Sequence, residues 1–309
     1  MENFRLRVFR AVARHLNFRI AAEELLLTQS AVTQQIKALE SELDVPLFDR
    51  AGGRVALTPA GVILLPFADR LGALADEARE AVSVTAGVHA GRLALGASQT
   101  IGQYLLPKLI AGFLRENPKV EVTVMGGNTQ TILEALVDHR VHLCLIEGPA
   151  MRRDVRIEPF MEDHMVCVVP ADHEWADEEV DVAQLQNATM VARELGSGSR
   201  RIIEQALEKA GLDVKELHLA MTFDSTEALL SAVEAGLGIA FVSRWAVRNQ
   251  LALGTLRLVR VRGVNLARMF SLATVAGPEP AGLAAIFQRF VLERAEELAP
   301  RPTGRNASH

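Results

Sequence analysis

Between Arg19 and Leu43 the chain reads RIAAEELLLTQSAVTQQIKALESEL, and two patterns are interleaved in it. Val32, Ile36, Leu39 and Leu43 recur at helical spacing and define one apolar stripe that faces a core. Ser30, Thr33, Gln34 and Lys37 fall on the opposite face. A solvated helix face ordinarily mixes Glu with Lys. This one carries hydroxyls, an amide and a single cation, groups suited to touching a partner.

The flanking pattern gives that helix a setting. Residues 4–15 predict a first helix with Phe4, Val8, Ala11, Val12 and His15 on one side. Asn17 is an N-cap for a second, which carries Ala21, Ala22 and Leu25, and Thr28 or Ser30 caps the third. DVPLFDRAGGRVALTP follows, with short apolar runs on either side of Gly52-Gly53, as in a two-stranded ribbon with a tight turn. Thr58 then caps a long helix with Pro59 at its first position and Pro66 inside it, ending near Thr85.

After a linker, AGVHAGR, the rhythm changes. RLALGAS, VEVTVMGG, VHLCLIEG, HMVCVVP, ATMVARE, LHLAMTF and GIAFVS read as strands, and helices are expected at 101–116, 129–138, 199–210 and 225–235. Strand and helix in alternation predict parallel sheets with helical crossovers. A last helix covers 281–297, and the tail PRPTGRNASH is polar, Pro-bearing and expected to be unfolded.

Composition narrows this picture only a little. With 309 residues and 49% hydrophobic content, the chain can bury more than one core. The N-terminus has no uninterrupted apolar run, and no later run is long enough to span a bilayer, so a soluble, cytoplasmic protein is expected. Cys144 and Cys167 are too few and too far apart for a metal cage or disulfide framework, and both are expected to be buried thiols. Residues 1–58 hold eight Lys/Arg against seven Asp/Glu, so a nucleic-acid reading cannot rest on net charge.

It rests on the pattern. Helix, short break, helix and ribbon make a winged helix-turn-helix, whose third helix enters the major groove. Ser30, Thr33, Gln34 and Lys37 then face base edges and phosphates, with Arg54 at the ribbon tip reaching the backbone or minor groove. Thr28, Gln29 and Thr58, at helix starts, complete the candidate DNA contacts. A small helical bundle with a polar outer face fits the same spacing.

AAEELLLTQSAVTQQIKALESELDVPLFDRAGGRVALTPAG resembles the N-terminal signature of LysR-type transcriptional regulators in wording and spacing. Ser30 stands where many members have Pro, and Thr33 where most have Ser. The resemblance implies an all-α winged helix-turn-helix domain at 1–58, a dimerisation helix and hinge at 59–90, and an effector domain at 91–298. That domain would be α/β and two-lobed, like periplasmic binding proteins, with lobe one at 91–162 and 269–298, lobe two at 163–268, and crossings near 161–167 and 263–270. Implied partners are double-stranded promoter DNA, a small-molecule effector, RNA polymerase, and further copies of the chain as a dimer and tetramer. Neither a cofactor nor a metal is implied.

Several hydroxyl-rich and Gly-rich stretches fall at strand ends just before helices, where backbone N–H groups and the helix dipole favour an anion. GASQTIGQYLLP supplies Ser98, Gln99 and Thr100, RELGSGSRRI supplies Arg193, Ser197 and Ser199, and MGGNTQT and LIEGP supply Asn128 and Glu147. Ordinary helix capping accounts for any one of them. This wording resembles the YeiE branch of the family, with CysB and CbbR as looser relatives, which implies a small anion such as a sulfur oxyanion or a small metabolite. Glu147 would repel an anion unless an arginine such as Arg193 or Arg200 paired with it. The anion is expected between Ser98 and Thr100 on one side and Ser197 and Ser199 on the other.

No P-loop, HExxH or GxSxG pattern occurs. His139 and His142 straddle a predicted helix end, and Asp224-Ser225-Thr226 reads as an N-cap rather than part of a hydrolytic site. The rival to a ligand-responsive regulator is a solute-binding protein or enzyme on the same two-lobed fold, with its N-terminal helices used only for dimerisation.

Overall fold

The computed structural model describes residues 3–50, 54–85, 89–148 and 152–298, which form two compact units. The Gly52-Gly53 turn, linker residues 86–88, Pro149 and the tail from 299 lie outside the described residues.

The first unit opens with α1 (Phe4–His15), α2 (Phe18–Glu24) and α3 (Gln29–Leu43). Each start has a side-chain cap: Asn3 accepts from the Arg5 N–H, Asn17 from Arg19 and Ile20, and Thr28 from Ala31. Phe9, Val12, Ala21, Val32, Ile36 and Leu47 are among the side chains that close the core. Two sequence expectations need correction. Phe4 is 45% exposed while Phe9 takes the core position, and the stripe on α3 ends at Leu39 because Leu43 is 43% exposed. Glu40 turns inward instead, and its Oε1 accepts the N–H groups of Leu47 at 2.8 Å and Phe48 at 3.3 Å.

The ribbon is β1 (Phe48–Asp49) against β2 (Ala56–Leu57), antiparallel. Next comes α4 (Pro59–Thr85), which runs through Pro66. A Cβ at Gly61 would lie 2.3 Å from the Leu47 carbonyl oxygen, so the helix and the start of the ribbon touch only because this residue is Gly. Leu64, Leu65 and Ala68 pack on the core, and Arg10 Nε meets Asp69 Oδ1 at 2.8 Å.

The second unit begins with three parallel strands, β3 (Ala90–Ser98), β4 (Lys119–Gly127) and β5 (Leu143–Glu147), in the order β4-β3-β5. Helices α5 (Leu106–Glu116) and α6 (Thr129–Val137) make the crossovers, and Ile101–Leu105 forms a π-helical turn ahead of α5. Strand β6 (Val155–Pro170) is 16 residues long and bridges two sheets. Val155–His164 pair with β12 (Ala267–Val275), and Met165–Pro170 pair with β10 (Ala240–Ser243) and β11 (Leu256–Arg262). The short β7 (Glu179–Asp181) extends that second sheet beside β11, while β8 (Thr189–Arg193) and β9 (His218–Phe223) pair in parallel. The remaining helices are α7 (Gly198–Lys209), α8 (Thr226–Glu234), α9 (Arg248–Leu253) and α10 (Gly282–Leu298).

Parallel pairing thus holds within β3–β5 and β8–β9 and fails where the chain changes lobes. Strand β6 leads out and β12 leads back, so the two run antiparallel. The expectation also missed the first half of β6 and all of β11, because charges interrupt VRIEPFMEDH and LRLVRVR and leave no continuous apolar run. Cys144 and Cys167 are buried, and burial pushes both thiols up to about 12. Among the described residues no helix is long and apolar enough to cross a membrane.

Candidate functional site

In the first unit the polar face of α3 divides into committed and free groups. Thr28 caps the helix and its Oγ1 lies 3.0 Å from Ser30 Oγ, while Thr33 Oγ1 donates back to the Gln29 carbonyl at 2.9 Å. Thr58 accepts from the Gly61 N–H and donates to the Pro46 carbonyl at 2.7 Å, so its hydroxyl anchors α4. Gln29, Gln34, Lys37 and Arg54 are exposed, and their side chains form no hydrogen bond or ion pair among the described residues. The contrast with neighbouring cations is informative: Arg5, Arg14, Arg19 and Arg50 each face a carboxylate. A net charge near zero therefore conceals free cations on α3 and the ribbon.

In the sequence of α4, Val62, Leu65, Ala68, Asp69, Gly72, Ala75, Asp76 and Arg79 mark out a broad side expected to pair two copies. Ala68 is fully buried in its own unit, Asp69 binds Arg10, and Arg79 binds Asp76. The outward apolar stripe is Ile63, Phe67, Leu71 and Leu74, each more than half exposed. Ala68 and Gly72 of the expected face are thus buried, while its Val62 is 58% exposed and adjoins the open stripe.

In the second unit, the ends of β3 and β5 and the start of α7 meet at the crossing strand β12. Gly198 makes that approach possible, since a Cβ there would fall 2.0 Å from the Glu147 carbonyl oxygen and 2.6 Å from Thr129 Oγ1. At the centre is Arg268, whose Nη2 lies 2.6 Å from Glu147 Oε2 and whose Nε lies 2.7 Å from Asp163 Oδ2. The same guanidinium donates to Ser199 Oγ at 2.7 Å and, at the longer distance of 3.5 Å, to Thr100 Oγ1. Glu147 accepts from the Thr100 N–H at 3.0 Å and from the Ser199 hydroxyl at 3.2 Å. Ser243 Oγ donates to Asp163 at 2.9 Å.

The two carboxyls feel this surround differently. Burial pushes Glu147 up, but the Arg268 charge and the Thr100 hydrogen bonds more than reverse it, and its pKa falls below the ordinary value. Asp163 is raised, because burial there outweighs Arg268 and the negative Glu147 adds to it. Ser98 Oγ, beside Glu147, and Gln99 Oε1 are buried without a hydrogen-bond partner in good geometry.

Of the expected effector residues, Ser98, Thr100, Glu147 and Ser199 come together. Ser197 does not join them: its side chain accepts from the Arg200 N–H as the N-cap of α7. Asn128 likewise accepts from Thr131 at the start of α6. The arginine pairing with Glu147 is Arg268, which corrects the expectation of Arg193 or Arg200. Arg193 is paired with Glu194 and donates to Thr226 Oγ1, and Arg200 is paired with Glu204. Two further contacts join the lobes: Gln99 Nε2 donates to the Asp224 carbonyl at 2.8 Å, and the Tyr104 hydroxyl donates to Glu227. Burial and the Glu227 carboxylate push the Tyr104 phenol well above its usual range.

Sequence reasoning missed Arg268 and Asp163. Both could have been found by parity, since Arg268 alternates with the buried Leu266, Phe270 and Leu272, and Asp163 with Met161, Met165 and Cys167. A charge at core parity signals a buried pair.

Residues 4–62 match the bacterial regulatory helix-turn-helix protein, lysR family, and residues 86–296 match the LysR substrate binding domain. A probable RuBisCO transcriptional regulator from Cyanophora paradoxa is 34% identical over 291 residues, covering 93% of this chain and 90% of the relative. Among solved structures, full-length CbnR complexed with target DNA aligns with a TM-score of 0.68 at 21% identity, over 96% of this chain and 99% of that one. The CcmR regulatory domain of Synechocystis in complex with 2-PG aligns with a TM-score of 0.63 at 22% identity, over 68% of this chain and 100% of that one. These matches set aside the enzyme and solute-binding alternatives. The chain belongs to the LysR family of transcriptional regulators, with an N-terminal helix-turn-helix domain and a two-lobed effector domain.

Proposed function

We propose that this regulator reads promoter DNA with the Gln34 and Lys37 face of α3, and that a small anionic metabolite bound between the lobes modulates that binding. Gln34 supplies an amide able to pair with a base edge, while Lys37 and Arg54 hold phosphates. The outward stripe of α4 pairs two copies, and a dimer of dimers that engages RNA polymerase is the working assembly. Pairing buries apolar side chains that water otherwise surrounds.

One observation carries the effector reading: hydroxyls from the two sides of the crossing, Thr100 and Ser199, both accept from the single guanidinium of Arg268. An anion arriving there competes with Glu147 for Arg268 and receives the Ser98, Thr100 and Ser199 hydroxyls. A ligand that also carries a hydroxyl gives the displaced carboxylate a donor, which favours an organic metabolite over a bare sulfur oxyanion. The 2-PG complex of the CcmR domain and the RuBisCO-regulator relatives support a metabolite effector. Because the ligand bridges both lobes it biases their angle, and coupling of about 1–3 kcal/mol suffices for a switch.

Calorimetry on the full chain with sulfite, sulfate, phosphate and hydroxylated organic acids tests this reading. Thr100→Ala and Ser199→Ala are each expected to weaken the binding of whichever anion binds, with ligand-free DNA binding retained. Parental affinity in both variants removes the cleft assignment.

A further inference from the structure

The crossing strand β12 has a second face. Arg268 points into the network described above, and strand alternation sends Ala267 and Met269 the other way. There they line a cavity of about 470 Å³ with Ile157 and with Ile202 and Lys209 of α7. This volume lies within the roughly 300–1,000 Å³ range of small-molecule pockets.

Three features suit the cavity to a ligand. The same strand alternation brings Ser271, two positions beyond Met269, to this cavity. Ser271 is only 4% exposed, and its hydroxyl has no hydrogen-bond partner among the described residues. The two charged residues lining the space are both cations, and Glu147 and Asp163 already neutralise Arg268. Lys209 is exposed and has no carboxylate partner among the described residues. It offsets the negative end of α7, yet its ammonium is left open to an anion. Ile157, Ile202 and Met269 supply an apolar wall, and Met269 is 42% exposed although large and apolar.

We propose that this cavity is a second small-molecule site, for an organic monocarboxylate with a short apolar body. The carboxylate is held at Lys209, a polar group meets Ser271, and the body lies on Ile157, Ile202 and Met269. The site is independent of the cleft reading, but it shares α7 with it: Ser199, near the other end of the helix, belongs to the Arg268 network. A ligand seated here fixes α7 against the crossing strand and so biases the same lobe angle from behind.

The test uses the full chain, phenylacetate and isovalerate as probes, and phenylacetamide as the uncharged control, followed by calorimetry and ligand-observed NMR. Binding of at least one carboxylate is expected. Ala267→Trp, which fills the space from an exposed strand position, and Lys209→Met, at the surface, should each weaken it about tenfold. Phenylacetamide should be indifferent to Lys209→Met, and Thr100→Ala should leave carboxylate binding unchanged. The proposal is overturned if neither carboxylate binds, if both cavity variants bind as the parent does, or if Thr100→Ala lowers binding equally, which would place the probe in the cleft.

Discussion

Arg268 and Glu147 meet at 2.6 Å with side chains 1% and 3% exposed, so neither charge has water to fall back on. Removing one partner strands the other. Arg268→Met leaves two buried carboxylates, Glu147 and Asp163, uncompensated and is expected to cost about 3–5 kcal/mol. Adding Glu147→Gln should return part of the loss. Urea midpoints of the effector-domain transition for parent, single and double variants check this, and additive losses would contradict the coupling.

The opposite shifts of the two carboxyls predict opposite pH behaviour. Glu147 is depressed below 4.5, so its contribution is present above the unfolded value and lost as pH falls through the folded one. Asp163 is raised above 3.8, so its contribution is present below that value and lost as pH rises through the raised one. The stability gap between parent and Glu147→Gln should therefore shrink on acidification below 4.5. The gap between parent and Asp163→Asn should move in the parent's favour as pH approaches 3.8 from neutrality. Thermal midpoints across the acid range decide both.

Gly198→Ala tests the close approach of α7 to β5. The added Cβ would stand 2.0 Å from the Glu147 carbonyl oxygen, so α7 must withdraw and carry Ser199 away from Arg268. The thermal midpoint and effector affinity should fall together, with DNA binding by the ligand-free protein retained. An unchanged effector affinity would show that the Ser199 contact is dispensable.

On the DNA side, Gln34→Ala should lose about 1–3 kcal/mol of discrimination between specific and scrambled duplexes. Lys37→Ala should weaken both duplexes alike and reduce the salt slope by about 1. Titrations at several salt concentrations separate the two outcomes. A uniform loss for the Gln34 variant would make that residue a phosphate contact.

Leu26, in the turn before α3, is 93% exposed and has φ +55°, a left-handed conformation unfavourable for a leucine. Leu26→Asn should stabilise the N-terminal unit by about 1 kcal/mol, seen as a higher thermal midpoint. A lower midpoint would mean the leucine packs on a partner in solution.

Local periodicity exposed much of this architecture and less of its effector site. Helices α1–α4 were legible because each has a cap and an apolar stripe, and β3–β5 because their runs are nearly unbroken. The cleft hydroxyls were legible as helix starts, but a helix start does not distinguish Ser197, a cap, from Ser199, a network member. Their sorting depends on Arg268, which lies 69 residues from Ser199 along the chain. Spacing on α4 leaves a related choice open: Ala68 and Phe67 are adjacent in sequence, and only tertiary packing decides that the smaller one goes inward.

The route of the chain through β6 and β12 sets an order of assembly during synthesis. Strands β10 and β11 arrive before β12, so the second lobe can close on the outer part of β6 while the first still lacks its fourth strand. Until β12 emerges, β5 has an open hydrogen-bonding edge along Leu143–Glu147, all of it apolar or destined for burial. The nascent chain is thus most vulnerable to wrong pairing between completion of β5 and release of Val275 from the ribosome. Protease protection of chains stalled after β11 should show a folded second lobe beside a cleavable first. Arrest after α10 should show both protected.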